Sequence, residues 1–186
     1  MPTIELLPNA NVSNDWTEVG SGAVFEKLQT NDFVGYLKHA TVGRTVEVEF
    51  DDLNLPSGAV ITSVKGVLGG DFSLRSQTGK VTCSYRDSSS NLINSYTEEV
   101  TMNTAGFATL YDMTARTTSD GSAAWTDSDV DGMRLRIVIH TSPASGEIIL
   151  THLKIVVTYS FATYTSDDNL ILKNGTVVLK NGKIEV

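Results

Sequence analysis

Apolar and polar residues alternate along most of this chain, and the alternation is clearest between Met133 and Tyr159. Met133, Leu135, Ile137 and Ile139 alternate with Arg134, Arg136 and His140; further on, Ile149, Leu153, Ile155, Val157 and Tyr159 alternate with His152, Lys154 and Thr158. A period of two in segments rich in β-branched residues predicts strands. The connection from Thr141 to Gly146, with Pro143 in it, is short enough to return the chain antiparallel, so the pair is expected to form one long hairpin against which the rest packs.

Upstream, the same pattern predicts strands at Thr3–Leu7, closed by a turn at Pro8–Asn11, and around Trp16 between Asn14 and Val19. Val24–Leu28 and Phe33–His39, separated by polar Gln29–Asp32, read as a hairpin. Thr45–Phe50 sets Val46, Val48 and Phe50 against Thr45, Glu47 and Glu49, the signature of a half-buried strand. Val60–Leu68 follows a turn cluster. Lys80–Arg86 and Ile93–Met102 flank Asp87–Asn91 as another hairpin, and Phe107–Leu110 is a short strand. Asp112–Gly132 is a polar surface excursion pinned by Trp125. No segment sustains a helical period, and about eight to ten short strands predict an all-β antiparallel sandwich.

After Tyr159 the composition changes. Residues 160–168 read as a polar linker, and in 169–186 the run Leu172-Lys173-Asn174-Gly175 is echoed seven residues later by Leu179-Lys180-Asn181-Gly182. Asn-Gly between β-formers is a strong hairpin signal, so the tail is expected to be a small meander. Strands this short are not stable alone in water and need a partner surface. Leu172, Val177, Leu179, Ile184 and Val186 are therefore the assembly candidates.

Three stretches stand out: Leu55-Pro56-Ser57-Gly58-Ala59-Val60-Ile61-Thr62-Ser63-Val64, the opening Leu7-Pro8-Asn9-Ala10-Asn11 through Trp16, and Trp125-Thr126 followed by Asp129-Val130-Asp131-Gly132. They resemble the jelly-roll modules of tailed-phage virion proteins, a pattern shared with some secreted bacterial carbohydrate-associated modules. The motifs encode turns and core positions rather than a site. The resemblance implies a jelly-roll-like sandwich over residues 2–159, a homotrimer, and a virion structural role. Within that class, which spans capsid decoration and tail-fibre types, the expected role is a capsid decoration (cement) protein, with the phage major capsid protein or other virion proteins as partners. The alternative is a tail-fibre or adhesin module that binds host surface glycan.

Charge and composition narrow the classes. At 186 residues the chain suits one core with a small appendage. A net charge of -8, with no run among the 14 basic residues, argues against a nucleic-acid surface. The start, MPTIELLPNA, lacks a basic segment followed by an apolar run, and no stretch reaches membrane-spanning length; the protein is expected to be soluble and made in the bacterial host cytoplasm before it joins the virion. Cys83, the one cysteine, falls on the apolar side of a strand and is expected to be buried and inert.

No constellation predicts catalysis. There is no G-x-S-x-G elbow and no glycine-rich phosphate loop, so the chain is not expected to be an enzyme or to carry a cofactor. His140 and His152 face each other across the expected central hairpin, without the spacing of a zinc site. Asp127-Ser128-Asp129-Val130-Asp131-Gly132 matches the first six positions of a calcium loop, but Val138 stands where the bidentate Glu is required. Asp127, Asp129 and Asp131 are the calcium candidates, an acidic turn being the plain alternative. Trp16, Tyr36 and Trp125 are the aromatics that could stack on sugars if exposed, with Trp125 the glycan-contact candidate and core packing the competing expectation.

Overall fold

The structure, a computed structural model, describes residues 1–73, 77–103, 109–142 and 146–161, together with the backbone of 172–173, 176–179 and 184–185. In chain order the elements are β1 (Thr3–Leu6), β2 (Pro8–Asn14), β3 (Thr17–Val19), α1 (Val24–Lys27), β4 (Tyr36–His39), β5 (Thr45–Phe50) and β6 (Ala59–Phe72). They continue with β7 (Thr78–Arg86), β8 (Leu92–Asn103), β9 (Thr109–Asp112), α2 (Asp127–Val130), β10 (Arg134–Thr141), β11 (Ile148–Phe161), β12 (Leu172–Lys173), β13 (Thr176–Leu179) and β14 (Ile184–Glu185).

Two antiparallel sheets face each other. One has the order β3-β4-β11-β6-β9, with β1 also on β11; the other is β2-β5-β10-β7-β8. The inward positions of β5 and β10, Val46, Val48, Phe50, Leu135, Ile137 and Ile139, are fully buried. Opposite them lie Leu68, Phe72, Ile148, Leu153 and Ile155, also fully buried. Each such side chain contributes about 1.5–3 kcal/mol by leaving water. The result is the antiparallel β-sandwich that the alternation predicts, jelly-roll-like as the resemblance implies, with a small third sheet, β12-β13-β14, at the end of the chain.

Three local expectations are corrected. Met133–Tyr159 is not a hairpin: β10 pairs with β5 and β7 in one sheet, while β11 pairs with β6, β4 and β1 in the other. Both runs are strands, but alternation does not say which neighbour a strand takes. Pro8–Asn11 is strand rather than turn, because Pro8 is the first residue of an edge strand and its missing N–H costs no ladder bond there. Val24–Leu28 is a helical turn rather than a strand. The backbone N–H of Ala23 donates to Glu26 Oε2 at 2.6 Å, and the buried Lys27 ammonium reaches Glu18 Oε2 at 3.0 Å and the Gly22 carbonyl. With that turn in place, only Tyr36–His39 of the expected Phe33–His39 run is strand, paired with β3 and β11.

The hairpin of β7 and β8 forms as expected, with Val81 opposite Val100 and Cys83 opposite Glu98. Of the expected strand Phe107–Leu110, Thr109 and Leu110 are in β9 and 107–108 lie outside the described residues, as do 143–145 of the β10–β11 connection; of the expected linker 160–168, Ser160 and Phe161 are the last residues of β11 and 162–168 lie outside the described residues.

Candidate functional site

A cleft of about 310 Å³ opens at one end of the sandwich, lined by Asp87, Ser88, Ile93, Asn94, Ser119, Asp120, Ser128, Asp129 and Asp131. Three loops build it, and each is held by one of its own aspartates. In the β7–β8 turn, Asp87 Oδ1 accepts the backbone N–H groups of Ser89 and Asn91, both at 2.8 Å, and Oδ2 accepts Asn91 Nδ2 at 3.1 Å. The Asn91 side chain first, with the backbone donors, holds this carboxyl below the ordinary range. In the excursion, Asp120 Oδ1 accepts from Ala123 N and Ser122 N at 2.5 and 2.8 Å, and the Ala123 donor is the main cause of its lowered pKa.

The third loop carries α2. Asp129 Oδ2 accepts Thr126 N at 2.8 Å and the Thr126 hydroxyl at 2.7 Å, which caps the helical turn. Asp131 Oδ1 accepts the N–H of Leu53 at 2.9 Å and so ties this loop to the β5–β6 connection. Asn94 enters the cleft from β8 with a left-handed backbone, φ 39°, followed by Ser95 at 55°. Together the lining presents carboxylate, amide and hydroxyl groups above the apolar Ile93, a surface that can hydrogen-bond a hydroxyl-rich molecule.

Of the calcium candidates, Asp127 begins a helical turn and its carbonyl accepts Asp131 N, while the Asp129 carboxylate closes the cap and that of Asp131 turns to Leu53, so two of the three carboxylates are engaged within the loops. Among the described residues no group of three His, Cys, Asp or Glu is arranged to hold a metal ion. The histidines are apart as well. His140 is exposed on β10 with Nε2 3.1 Å from Glu99, whereas His152 is buried on β11 in the opposite sheet. Cys83 is fully buried, and burial pushes its thiol pKa up, which leaves no thiolate for chemistry.

Trp125 is 3% exposed, its indole N–H donating to the Arg116 carbonyl at 2.9 Å. The expectation of a glycan contact there is corrected: the ring pins the excursion beneath the sheet and presents no stacking face. Trp16 is buried too, and Tyr36 is half-buried, in edge contact with Phe33. The sequence reading missed Asp87, Asn94 and Asp120 as lining residues. The Asp-Ser-Ser-Ser-Asn turn and the Asp-Gly-Ser stretch were visible, but only the fold brings them to one end.

In the third sheet Leu172 pairs with Val177, and Leu179 with Ile184. Directly opposed residues share a face, as do positions two apart, so Leu172, Val177, Leu179 and Ile184 occupy one face of the three strands. Lys173, Thr176, Val178 and Glu185 occupy the other. Val186, the fifth assembly candidate, lies outside the described residues.

No protein-family model matches the chain, and no curated protein matches it. Among solved structures it is similar to the CBM36-1 domain of a multidomain xylanase from the hindgut metagenome of Trinervitermes trinervoides, at 9% identity over 88% of this chain and 100% of that chain, with a TM-score of 0.41. It is also similar to BiXyn10A CBM1 in its apo form, at 14% identity over 83% of this chain and 96% of that one, TM-score 0.43. A third, the arabinose-bound MgGH51 α-L-arabinofuranosidase, is 11% identical over 80% of this chain but only 23% of its own, TM-score 0.43.

Proposed function

We propose that this chain is a non-catalytic structural module of a phage virion, a capsid decoration or cement protein that joins neighbouring subunits through its last three strands. The observation that carries this is the register of β12–β14, which puts Leu172, Val177, Leu179 and Ile184 on one face of a sheet too small to have a core of its own. An apolar face of that kind is stable only when covered. The mechanism is passive: covering it links subunits, and the assembled state gains stability by mass action. The partners are other copies, as a homotrimer, and the major capsid protein. Light scattering on the intact chain and on the chain lacking 169–186 tests it. A multiple of 20.1 kDa that falls to the single-chain mass without the tail supports the reading; a monomer in both forms sinks it.

The cleft favours a second reading, a tail-fibre or adhesin module that binds host glycan. Its groups are those that recognise sugar hydroxyls, and they stand on rigid turns. Selective signal on a glycan array, lost in Asn94→Ala with the melting temperature unchanged, would establish it. A blank array would remove it.

A further inference from the structure

We propose that the folded chain joins Lys27 to Asn14 in an intramolecular amide bond, with Glu18 moving the protons. The inference needs neither the assembly reading nor the glycan reading.

Three side chains from three elements meet at one edge of the sandwich. Asn14 ends β2, the edge strand of one sheet; Glu18 lies in β3, the edge strand of the other; Lys27 ends α1. Both Glu18 oxygens are engaged, Oε2 with the Lys27 ammonium at 3.0 Å and Oε1 with Asn14 Nδ2 at 3.4 Å. One carboxylate therefore touches both an amine and a carboxamide. The carboxamide is held from its other side as well. Asn14 Oδ1 accepts the backbone N–H of Trp16 at 2.9 Å, and Nδ2 also donates to the Trp16 carbonyl at 3.1 Å. Nucleophile, proton carrier, electrophilic carbon and a donor for a developing oxyanion are the parts that acyl transfer to an amine requires.

Lys27 is presented in one orientation. Its side chain is 2% exposed, its stem lies against Gly35, where a Cβ would stand 3.1 Å from Lys27 Cγ, and its ammonium also donates to the Gly22 carbonyl. Holding the amine beside the carboxamide replaces an encounter in solution by a reaction within one site, the largest single help that a slow acyl transfer can be given. The Glu18 side chain is 44% exposed, which leaves a small leaving group a route to water.

The reaction balances without an oxidant or a second reactant. Lys27 Nζ gives a proton to Glu18 and attacks Asn14 Cγ as the free amine. The C–Nζ bond forms while an electron pair of the C=O bond moves to Oδ1, which the Trp16 N–H already holds. Collapse re-forms the carbonyl and breaks the C–Nδ2 bond, and Glu18 protonates Nδ2 as it leaves. The nitrogen departs as ammonium, carrying the two protons that Nζ gives up, and Glu18 ends as it began. The product closes a loop from residue 14 to residue 27. It ties the edge of one sheet to the turn whose Leu28 carbonyl holds Leu153 N on β11 of the other, and a cross-link of this kind stabilises by restricting the unfolded chain. The chain reacts once with itself and turns nothing over.

Mass spectrometry of the full-length chain tests it. After incubation of the folded protein, the denatured chain is expected to be lighter by one ammonia, about 17 Da. No Lys or Arg precedes Lys27, so trypsin should fail to cut after Lys27 and release residues 1–38 as one peptide carrying the whole mass loss, with no fragments from breaks between 14 and 27. Lys27→Arg and Asn14→Ala should each restore the full mass. Glu18→Gln keeps the shape of the side chain and removes the proton carrier, and it should slow bond formation after refolding about 100-fold or more. Full mass and ordinary cleavage after Lys27 in the unsubstituted chain overturn the proposal, whatever the variants do. A mass loss that persists in Lys27→Arg points to ring closure at Asn174-Gly175 or Asn181-Gly182, which also expels ammonia, and overturns it too. A bond that forms as fast in Glu18→Gln as in the parent removes Glu18 from the mechanism.

Discussion

Gly66 donates its backbone N–H to the Tyr85 hydroxyl at 2.6 Å, a bond that runs from one sheet of the sandwich to the other. Tyr85 is fully buried on β7, and burial raises its phenol pKa, so the hydroxyl stays neutral and available. Glycine is required for the approach, since a Cβ at position 66 would stand 2.5 Å from Met113 Sδ and 3.3 Å from the Tyr85 oxygen. Tyr85→Phe keeps the ring and removes the acceptor, leaving a buried N–H without a partner. The expected cost is about 1–3 kcal/mol, read as a fall of a few degrees or more in thermal unfolding. An unchanged melting temperature would mean that the bond contributes nothing net.

Trp125 sits under the excursion, with its N–H on the Arg116 carbonyl and its ring 6.3 Å from that of Tyr96. Tyr96 in turn carries the Arg116 guanidinium 4.8 Å above its ring. Trp125→Ala removes the centre of this stack and is expected to cost about 3–5 kcal/mol. Limited proteolysis should then cut within 112–131, where the intact protein resists. A variant as stable as the parent would show that the excursion is held by other contacts.

How much of this was legible beforehand differs by level. Val46, Val48 and Phe50, like Leu135, Ile137 and Ile139, announce their strands and their buried face by alternation, and the fold class follows from such runs. Pairing is a different matter. β10 and β11 are adjacent in sequence yet lie in opposite sheets, because the choice of neighbour is made by packing across the core, which no window of sequence contains. The helical turn at Val24–Lys27 depends on Glu26 and on the burial of Lys27 against Glu18, contacts that periodicity does not register. At the cleft, only Asp129 had been singled out, as a calcium candidate, and it, like Asp87 and Asp120, is a staple of its own turn. That the tail forms short antiparallel strands was legible in the two Asn-Gly pairs between β-formers, a local hairpin signal.

On the outer face of the β2–β8 sheet, Glu47 has no exposed surface and is held by Arg136 and by the Ser90 hydroxyl, which donates to Oε1 at 2.6 Å. Ser90 also accepts Arg134 Nη1 at 2.7 Å, and Arg134 clasps Glu49 through two nitrogens at 2.6 and 2.8 Å. Arg136→Met strands a buried carboxylate and is expected to cost about 3–5 kcal/mol in urea unfolding. Glu47→Gln combined with Arg136→Met removes the stranded charge and should recover most of that loss. If the double variant is as unstable as the single one, the cost lies in packing of the arginine stem rather than in charge.

His152 should give the sandwich a pH dependence near neutrality. Burial, and then the nearby Lys154 ammonium, lower its pKa from the ordinary 6.5, while the Leu28 and Gln29 backbone and the Glu5 carboxylate pull weakly the other way. Its Nδ1 has no hydrogen-bond partner among the described residues. The unfolded chain therefore takes up a proton more readily than the folded one, and stability is complete above about pH 6.5. It is lost as pH falls from there through the lower folded-state value, and the loss from this group then stops. The carboxyls with lowered pKa, Asp32, Asp87, Glu99 and Asp120, start from ordinary values of 3.8 to 4.5, so their stabilisation is lost only at lower pH. Urea midpoints should thus decline between about pH 7 and pH 5 in the parent and stay level over that window in His152→Gln. A parent midpoint that is flat there would mean that the imidazole is hydrated in the folded protein, and an equal slope in both would mean that His152 is not the source of the decline.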